Sequence, residues 1–224
     1  MQNIKGLTRD INGYVMFSKY VYMKNIIHSV SRFFFSLRRP SQRKNLVLLR
    51  QRGETFDSIL IREAVKGDIP KLSALHVQSW KETYRNVKNP PGYEIREQQW
   101  IQQFERNDGS WFCYVAETIN KELIGFAMGQ AYSHSDLPDY SGELNKIFLL
   151  LSYQRLGIGR KLFCPIVQKF LSKGISSMVL FGIPQNPSAY FHEAMDGKKL
   201  YSKKGEFHGG YGWKNLNEIT SICK

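Results

Sequence analysis

The sequence predicts an α+β domain, a mixed sheet with helices packed against it. Three observations predict this. Residues 111–150 carry three successive strand-like segments linked by polar turns, the pattern of antiparallel neighbours. A helical segment at 156–171 then separates two strands, a β-α-β step that brings a parallel pair into the sheet. Of the 224 residues, 42% are hydrophobic and 23% charged, enough apolar side chain for the core of one ordinary domain. A wholly disordered or a fibrous chain is excluded on the same grounds.

The elements follow in order. Residues 58–64 (SILIREA), with β-branched and apolar residues, read as a strand. Gly67-Asp68 then supplies a turn and a helix N-cap, with Pro70 in the first helical turn, where its missing N–H costs little. Leu72, Leu75, His76, Trp80 and Tyr84 recur at helical spacing, so a helix runs to about residue 84 with His76 packed on its apolar face. Asn89-Pro90-Pro91-Gly92 breaks the chain, and residues 94–106 form a second helix with Ile95, Trp100, Ile101 and Phe104 mostly on one side. Strands follow at 111–117, 123–131 and 143–150. A helix at 156–171 turns Leu162, Phe163, Ile166, Val167 and Phe170 inward, and Gly174 caps it. After a short strand at 177–181, residues 187–204 read as mostly helical, with an interruption at Gly197, and a last strand or hairpin lies within 207–216. The predicted order is β-α-α-β-β-β-α-β-α-β.

The formal charge is +13, but it is unevenly spread. Residues 1–50 hold ten Lys and Arg against one acid, Asp10, whereas residues 51–224 hold 22 bases against 18 acids. A whole-protein nucleic-acid-binding reading is therefore weakened and ranks last. The chain divides into a basic N-terminal extension and linker, residues 1–55, and a folded domain, residues 56–220. The extension has no run of the roughly 20 apolar residues needed to span a bilayer. It is rich in aromatics (Tyr14, Phe17, Tyr20, Tyr22, Phe33, Phe34, Phe35). Weak contact of residues 11–40 with an anionic membrane surface is one reading. A loosely ordered arm, or residues upstream of a later start at Met16 or Met23, is the other. On either reading, removing residues 1–50 leaves the domain's ligand binding intact. Three scattered cysteines (Cys113, Cys164, Cys223) without a CxxC pair predict no disulfide framework, a reducing compartment and a cytoplasmic protein. Five dispersed histidines give no metal motif.

One segment carries chemistry, residues 143–163 (ELNKIFLLLSYQRLGIGRKLF). A strand ends, Gln154-Arg155-Leu156-Gly157-Ile158-Gly159 turns, and a helix begins at once. The free N–H groups and positive dipole end of that helix suit a phosphate or pyrophosphate. Gly157 and Gly159 leave room for it, and Arg155, Arg160 and Lys161 add charge. The third glycine of a dinucleotide fingerprint is absent, because Leu162 stands there, and no GxxxxGK[ST] loop occurs. On spacing alone a purely structural turn is equally compatible.

These residues resemble the GNAT superfamily of N-acetyltransferases. Its [Q/R]-x-x-G-x-[G/A] signature is matched by Gln154, Gly157 and Gly159. The opening ILIREAVKGDIPKL, the helix HVQSWKETYRNV (76–87) and Leu200-Tyr201-Ser202-Lys203-Lys204-Gly205 are also similar to family segments, so the resemblance spans residues 57–217. It implies a mostly antiparallel sheet splayed between two parallel strands around a cleft for acetyl-CoA, a co-substrate. The pyrophosphate would meet the backbone of Arg155, Leu156, Gly157, Ile158, Gly159 and Arg160, behind Gln154. The pantetheine arm would pair with Phe148, Leu149 and Leu151, and Asn186 would touch it.

The chemistry so implied is acyl transfer from a thioester to a primary amine, a group with a pKa of about 10.4 that arrives protonated. Glu143 is the implied base, often acting through water, and the Leu149 N–H the oxyanion donor. Two alignments compete for the acid that protonates the thiolate. Tyr201 and Gly205 keep the family's Tyr-to-Gly spacing. Anchoring on Asn186 and Ala189 instead puts His192 there, and an imidazole with a pKa near 6.5 could serve. Tyr84 and Tyr93 border the loop that forms part of the acceptor pocket in relatives. The implied acceptor is a small-molecule amine, with no metal, no nucleic acid, and a monomer or homodimer. A protein or peptide acetyltransferase, or a lapsed CoA-binding interaction protein, are the alternatives.

Overall fold

The computed structural model describes residues 40–84, 89–106, 108–184 and 186–223. Among these, seven strands form one sheet: β1 (Leu60–Glu63), β2 (Trp111–Glu117), β3 (Leu123–Ala131), β4 (Gly142–Leu149), β5 (Met178–Leu180), β6 (Lys198–Tyr201) and β7 (Phe207–Trp213). Their spatial order is β1-β2-β3-β4-β5-β7-β6. β4 and β5 run parallel and the other neighbours antiparallel. The helices are α1 (residues 40–51), α2 (Ile69–Thr83), α3 (Tyr93–Glu105), α4 (Ile158–Ser172) and α5 (Ala189–Ala194). The sheet, α2 to α5 and the part of α1 from Asn45 onward belong to one compact unit, Asn45–Lys224.

The sheet is covered on both faces, which is why β3 reads as an almost continuous apolar run rather than an alternation. On one face α4 buries Leu162, Phe163, Ile166 and Phe170 against Phe112, Leu144, Met178 and Trp213. On the other, α2 and α3 bury Leu72, Leu75 and Trp100 against Val115, Phe126 and Met128. Small residues in β3 let α4 lie close. A Cβ at Gly125 would stand 2.9 Å from Leu162, and one at Gly129 2.9 Å from Phe170.

The start of α2 is held electrostatically. Arg62 on β1 grips Asp68 through two bonds of 2.7 and 2.8 Å, and Glu117 on β2 through Nη2 at 2.5 Å. Asp68 in turn accepts the Val65 N–H at 2.9 Å. The Arg62 guanidinium holds the Asp68 and Glu117 carboxyls below the usual carboxylate range.

Three expectations change. Residues 38–56 are not simply a charged linker, because α1 occupies 40–51 and its Leu49 is buried. Asn45 Nδ2 donates to the carbonyls of Leu151 and Gln154, both at 2.9 Å, and the buried Glu54 accepts from Tyr153 Oη at 3.0 Å. Residues 187–204 are not mostly helical. α5 ends at Ala194, Asp196 takes a positive φ, and a Cβ at Gly197 would stand 2.7 Å from Trp213, so the chain turns and pairs as β6 against β7. Cys164 on α4 and Cys223 in the C-terminal 3-10 turn form a disulfide, although no CxxC motif marks them. The remaining Cys113 is buried, and burial raises its thiol pKa.

Among the described residues no helix is long and apolar enough to cross a membrane. The aromatic arm before residue 40, and with it nearly all of the segment read as a membrane-surface contact, lies outside the described residues, as do 85–87 of the HVQSWKETYRNV segment.

Candidate active site

β4 and β5 pair only at their start, Gly142 with Met178 and Glu143 with Val179. Beyond Glu143 the two strands separate, which opens a cleft in the sheet. On its other side β4 stays paired with β3, across a bulge at Asn145: Lys146 faces Met128 and Leu144 faces Gly129. The Leu150 N–H donates to the Ile124 carbonyl at 2.9 Å. Antiparallel alternation from there points the backbone of Phe148 and Lys146 at β3, and that of Ile147 and Leu149 into the cleft. The Leu149 carbonyl is taken by Gln154 Nε2 at 2.9 Å, and the Leu151 N–H by Glu82 Oε2 at 2.6 Å.

At the mouth of the cleft the chain makes two left-handed steps, Arg155 at φ 65° and Gly157 at φ 85°, and α4 starts at Ile158. Gly157 is needed for its backbone, since a side chain at that φ is strained. Gly159 is needed for packing, since a Cβ there would stand 2.9 Å from Phe191. The Ile158 side chain is buried, so only its backbone can meet a ligand. The first intrahelical bond runs from Lys161 N–H to the Gly157 carbonyl, which leaves the preceding N–H groups to an outside acceptor. Arg155 and Arg160 are exposed here. Lys161 is otherwise engaged: its Nζ donates to the carbonyls of Phe56 and Ile59 at 3.1 and 2.6 Å. It ties the approach to β1 onto α4 and does not extend the phosphate-facing charge.

A sheet split between parallel strands, with a glycine turn and a helix N-terminus at the opening, matches known proteins. The model of the acetyltransferase (GNAT) family matches residues 74–196. The uncharacterized N-acetyltransferase YuaI of Bacillus subtilis is 30% identical over 176 residues, 73% of this chain and 98% of that protein. The chain belongs to the acetyltransferase (GNAT) family. Solved structures share its fold. The PaiA N-acetyltransferase of Thermoplasma acidophilum, in complex with coenzyme A, superposes with a TM-score of 0.56 at 21% identity, over 69% of this chain and 98% of that one. A phosphinothricin acetyltransferase of Sinorhizobium meliloti, in complex with AcCoA, gives 0.52 at 19% identity, over 69% and 86%.

The remaining sequence-predicted residues of this acetyltransferase fall into two groups. Phe148, Leu149, Gln154, Asn186, His192 and Tyr84 all line the cleft. Asn186 Nδ2 lies 3.4 Å from Tyr84 Oη, which bridges the two sides. Burial raises the Tyr84 pKa. His192 is buried, edge-on to Phe191 and tilted against Tyr211, and burial pushes its pKa down to about 4. Its imidazole is therefore neutral at neutral pH.

Tyr201, Tyr93 and Glu143 are not brought into the cleft wall. Tyr201 is 61% exposed on β6, the edge strand, separated from β4 by β5 and β7, with its ring against Phe207. The Tyr-to-Gly spacing that favoured it belongs to the β6–β7 hairpin. Tyr93 donates its hydroxyl to Glu97 at 2.6 Å, and that bond raises its pKa. Glu143 stands at the root of the cleft, where β4 and β5 still pair, and accepts from Gln130 Nε2 at 2.7 Å and Asn145 Nδ2 at 3.0 Å.

Lys146 is the residue sequence reasoning missed. It lines the cleft directly after the bulge. Its signal was present as Asn145-Lys146, two polar residues between Leu144 and the apolar run Ile147-Phe148-Leu149-Leu150.

Proposed function

We propose that this chain transfers the acetyl group of acetyl-CoA to the primary amine of a small molecule. The observation that carries the reading is the cleft between β4 and β5, with the outward backbone edge of Ile147 and Leu149 and the α4 N-terminus meeting at its mouth. Backbone N–H groups from Arg155 to Arg160 would hold the pyrophosphate, helped by the two exposed guanidinium groups. The pantetheine arm would lie beside Asn186 against the cleft-facing backbone of Ile147 and Leu149, in place of Phe148 and Leu151, whose backbone groups face β3 and Glu82. Gln154 holds the Leu149 carbonyl, and the Leu149 N–H, on the cleft-facing edge of β4, is the proposed oxyanion donor.

The acceptor amine must lose a proton before it attacks. Glu143, at the cleft root, is the proposed base through water. For the leaving thiolate, Tyr84 replaces Tyr201 as the proposed donor, because its hydroxyl lines the cleft and Tyr201 does not. Neutral His192 can offer an N–H hydrogen bond but carries no imidazolium at neutral pH. The proposed transferase domain, read from the sequence as residues 56–220, extends back to Asn45, because Asn45 and Glu54 are bonded into the same compact unit.

The test is thiol release from acetyl-CoA against a panel of small amines. Release above background with at least one amine, abolished in Gly157→Glu, is the expected result. Tight acetyl-CoA binding with no turnover of any amine would leave a binding protein and overturn the reading.

A further inference from the structure

On the far side of β4 from α4, a second cavity of about 410 Å³ lies between α2, α3, β3 and β4. Trp100, Met128 and His76 form its deep wall, and burial, with Arg96 and Lys146 adding to it, pushes the His76 pKa down to about 3, so that ring is neutral. Arg96 and Lys146 supply positive charge inside, and Arg106 does so at the exposed rim. No carboxylate lines the cavity among the described residues.

The two inner cations are under-partnered. Arg96 is 9% exposed and donates from Nη1 to the neutral Gln99 Oε1 at 2.9 Å. Lys146 Nζ donates to Asn145 Oδ1. Among the described residues neither has an ion-pair partner. Four buried nitrogens have no hydrogen-bond partner there either: His76 Nδ1, Arg96 Nε, Trp100 Nε1 and Gln103 Nε2, and all four residues line this cavity. Buried polar atoms of this kind are normally satisfied by a ligand or by ordered water. Arg, Lys and Trp side chains offer donors and no acceptor. Their complement is a group of acceptors with negative charge. Lys146 also lines the cleft, so the two spaces share this residue.

We propose that the acetyl acceptor is a small primary amine bearing an oxyanion, a carboxylate or a phosphonate, which Arg96 and Lys146 hold in this cavity while the amine reaches the Ile147–Leu149 edge. The proposal rests on the reading of the chain as an amine acetyltransferase. It adds a substrate class, and it excludes polycationic acceptors, which three lining cations would repel.

The experiment uses the full chain with acetyl-CoA. The panel is ω-amino carboxylates of increasing length, the matching aminophosphonates, and for each the neutral carboxamide and the bare alkylamine, with spermidine as a polycation. The best oxyanion-bearing amine is expected to exceed its own carboxamide in kcat/KM by about 100-fold, the scale of a buried charged hydrogen-bonded pair. The better of the carboxylate and phosphonate arms names the anion. Arg96→Gln should collapse the difference through KM, with the KM for acetyl-CoA unchanged. Gln103→Glu, which adds an anion inside the cavity, should collapse it too with no loss of melting temperature, so unfolding cannot mimic the effect. Equal use of carboxamide and oxyanion, preferred use of spermidine, or a preference that survives both variants would overturn the proposal. If no amine is turned over, calorimetric binding of the same panel in the presence of CoA decides. Oxyanion-dependent binding lost in Arg96→Gln upholds the cavity while the transferase reading fails, and its absence sinks the proposal.

Discussion

At the scale of single residues, a motif states which types are present, and packing decides what each one does. Gly157 and Gly159 form one sequence signature but answer to different constraints: a left-handed backbone at the first and the Phe191 ring at the second. Lys161 looks like part of a cationic cluster with Arg155 and Arg160, yet its ammonium is spent on two carbonyls before β1. Tyr201 kept the spacing expected of a catalytic acid and stands exposed on an edge strand, whereas Tyr84 lines the cleft. These placements separate the two phenols experimentally. Tyr84→Phe should lower kcat by about 100-fold, the lower range for a lost proton donor. Tyr201→Phe, a change at an exposed surface, should stay within about 2-fold. Steady-state thiol release at saturating amine measures both.

At the scale of elements, alternation and punctuation carried most of the fold. β2 and β3 lie at their predicted bounds because hairpin strands with polar turns are local features. α5 and β6 fall in a stretch that reads as mostly helical with an interruption at Gly197, because Lys198–Tyr201 has no strand signal of its own and becomes a strand only by pairing with β7. α1 was missed as a polar segment, since Leu49 and Glu54 become buried only by packing against the rest of the unit. The Arg62 cluster shows how neighbouring elements couple. Asp68 and Glu117 have pKa values lowered in the fold, so they stabilise it above the ordinary carboxylate range of about 4. That contribution is lost as pH falls through their depressed folded values. Asp68→Asn is therefore expected to lower the melting temperature at neutral pH and to shrink the difference between neutral and acid pH. Thermal melts of both proteins from pH 7 down to about pH 3 read this out, and an unchanged acid dependence would count against the assignment.

At the scale of the whole molecule, the boundary between arm and domain moves toward the N-terminus. Asn45 braces the two carbonyls that shape the loop before α4, so residues inside the predicted linker support the proposed cofactor site. Removing residues 1–38 is expected to leave acetyl-CoA binding intact. Removing residues 1–50 takes away Asn45 and the buried Leu49 and should lower the melting temperature by about 10 °C, from a few kcal/mol of lost burial and hydrogen bonding. It should also weaken acetyl-CoA binding. Calorimetric titration and thermal melts of the two truncations check this. The Cys164–Cys223 bridge closes a span of 59 residues and ties α4 to the C-terminal turn, a link of the kind that typically adds about 2–4 kcal/mol.

By itself the sequence determined the fold class, the family and the turn that opens α4, because each is written in local pattern: alternation, helical spacing, and a short signature at one strand–helix junction. Only the tertiary structure decided which residues meet. The parting of β4 from β5, the bulge beside Lys146, which borders both cavities, and the choice between Tyr84 and Tyr201 all depend on segments brought together from far apart in the chain. The cavity that unites Arg96 of α3 with Lys146 of β4 spans 50 positions of sequence, and no local pattern encodes a pairing over that separation.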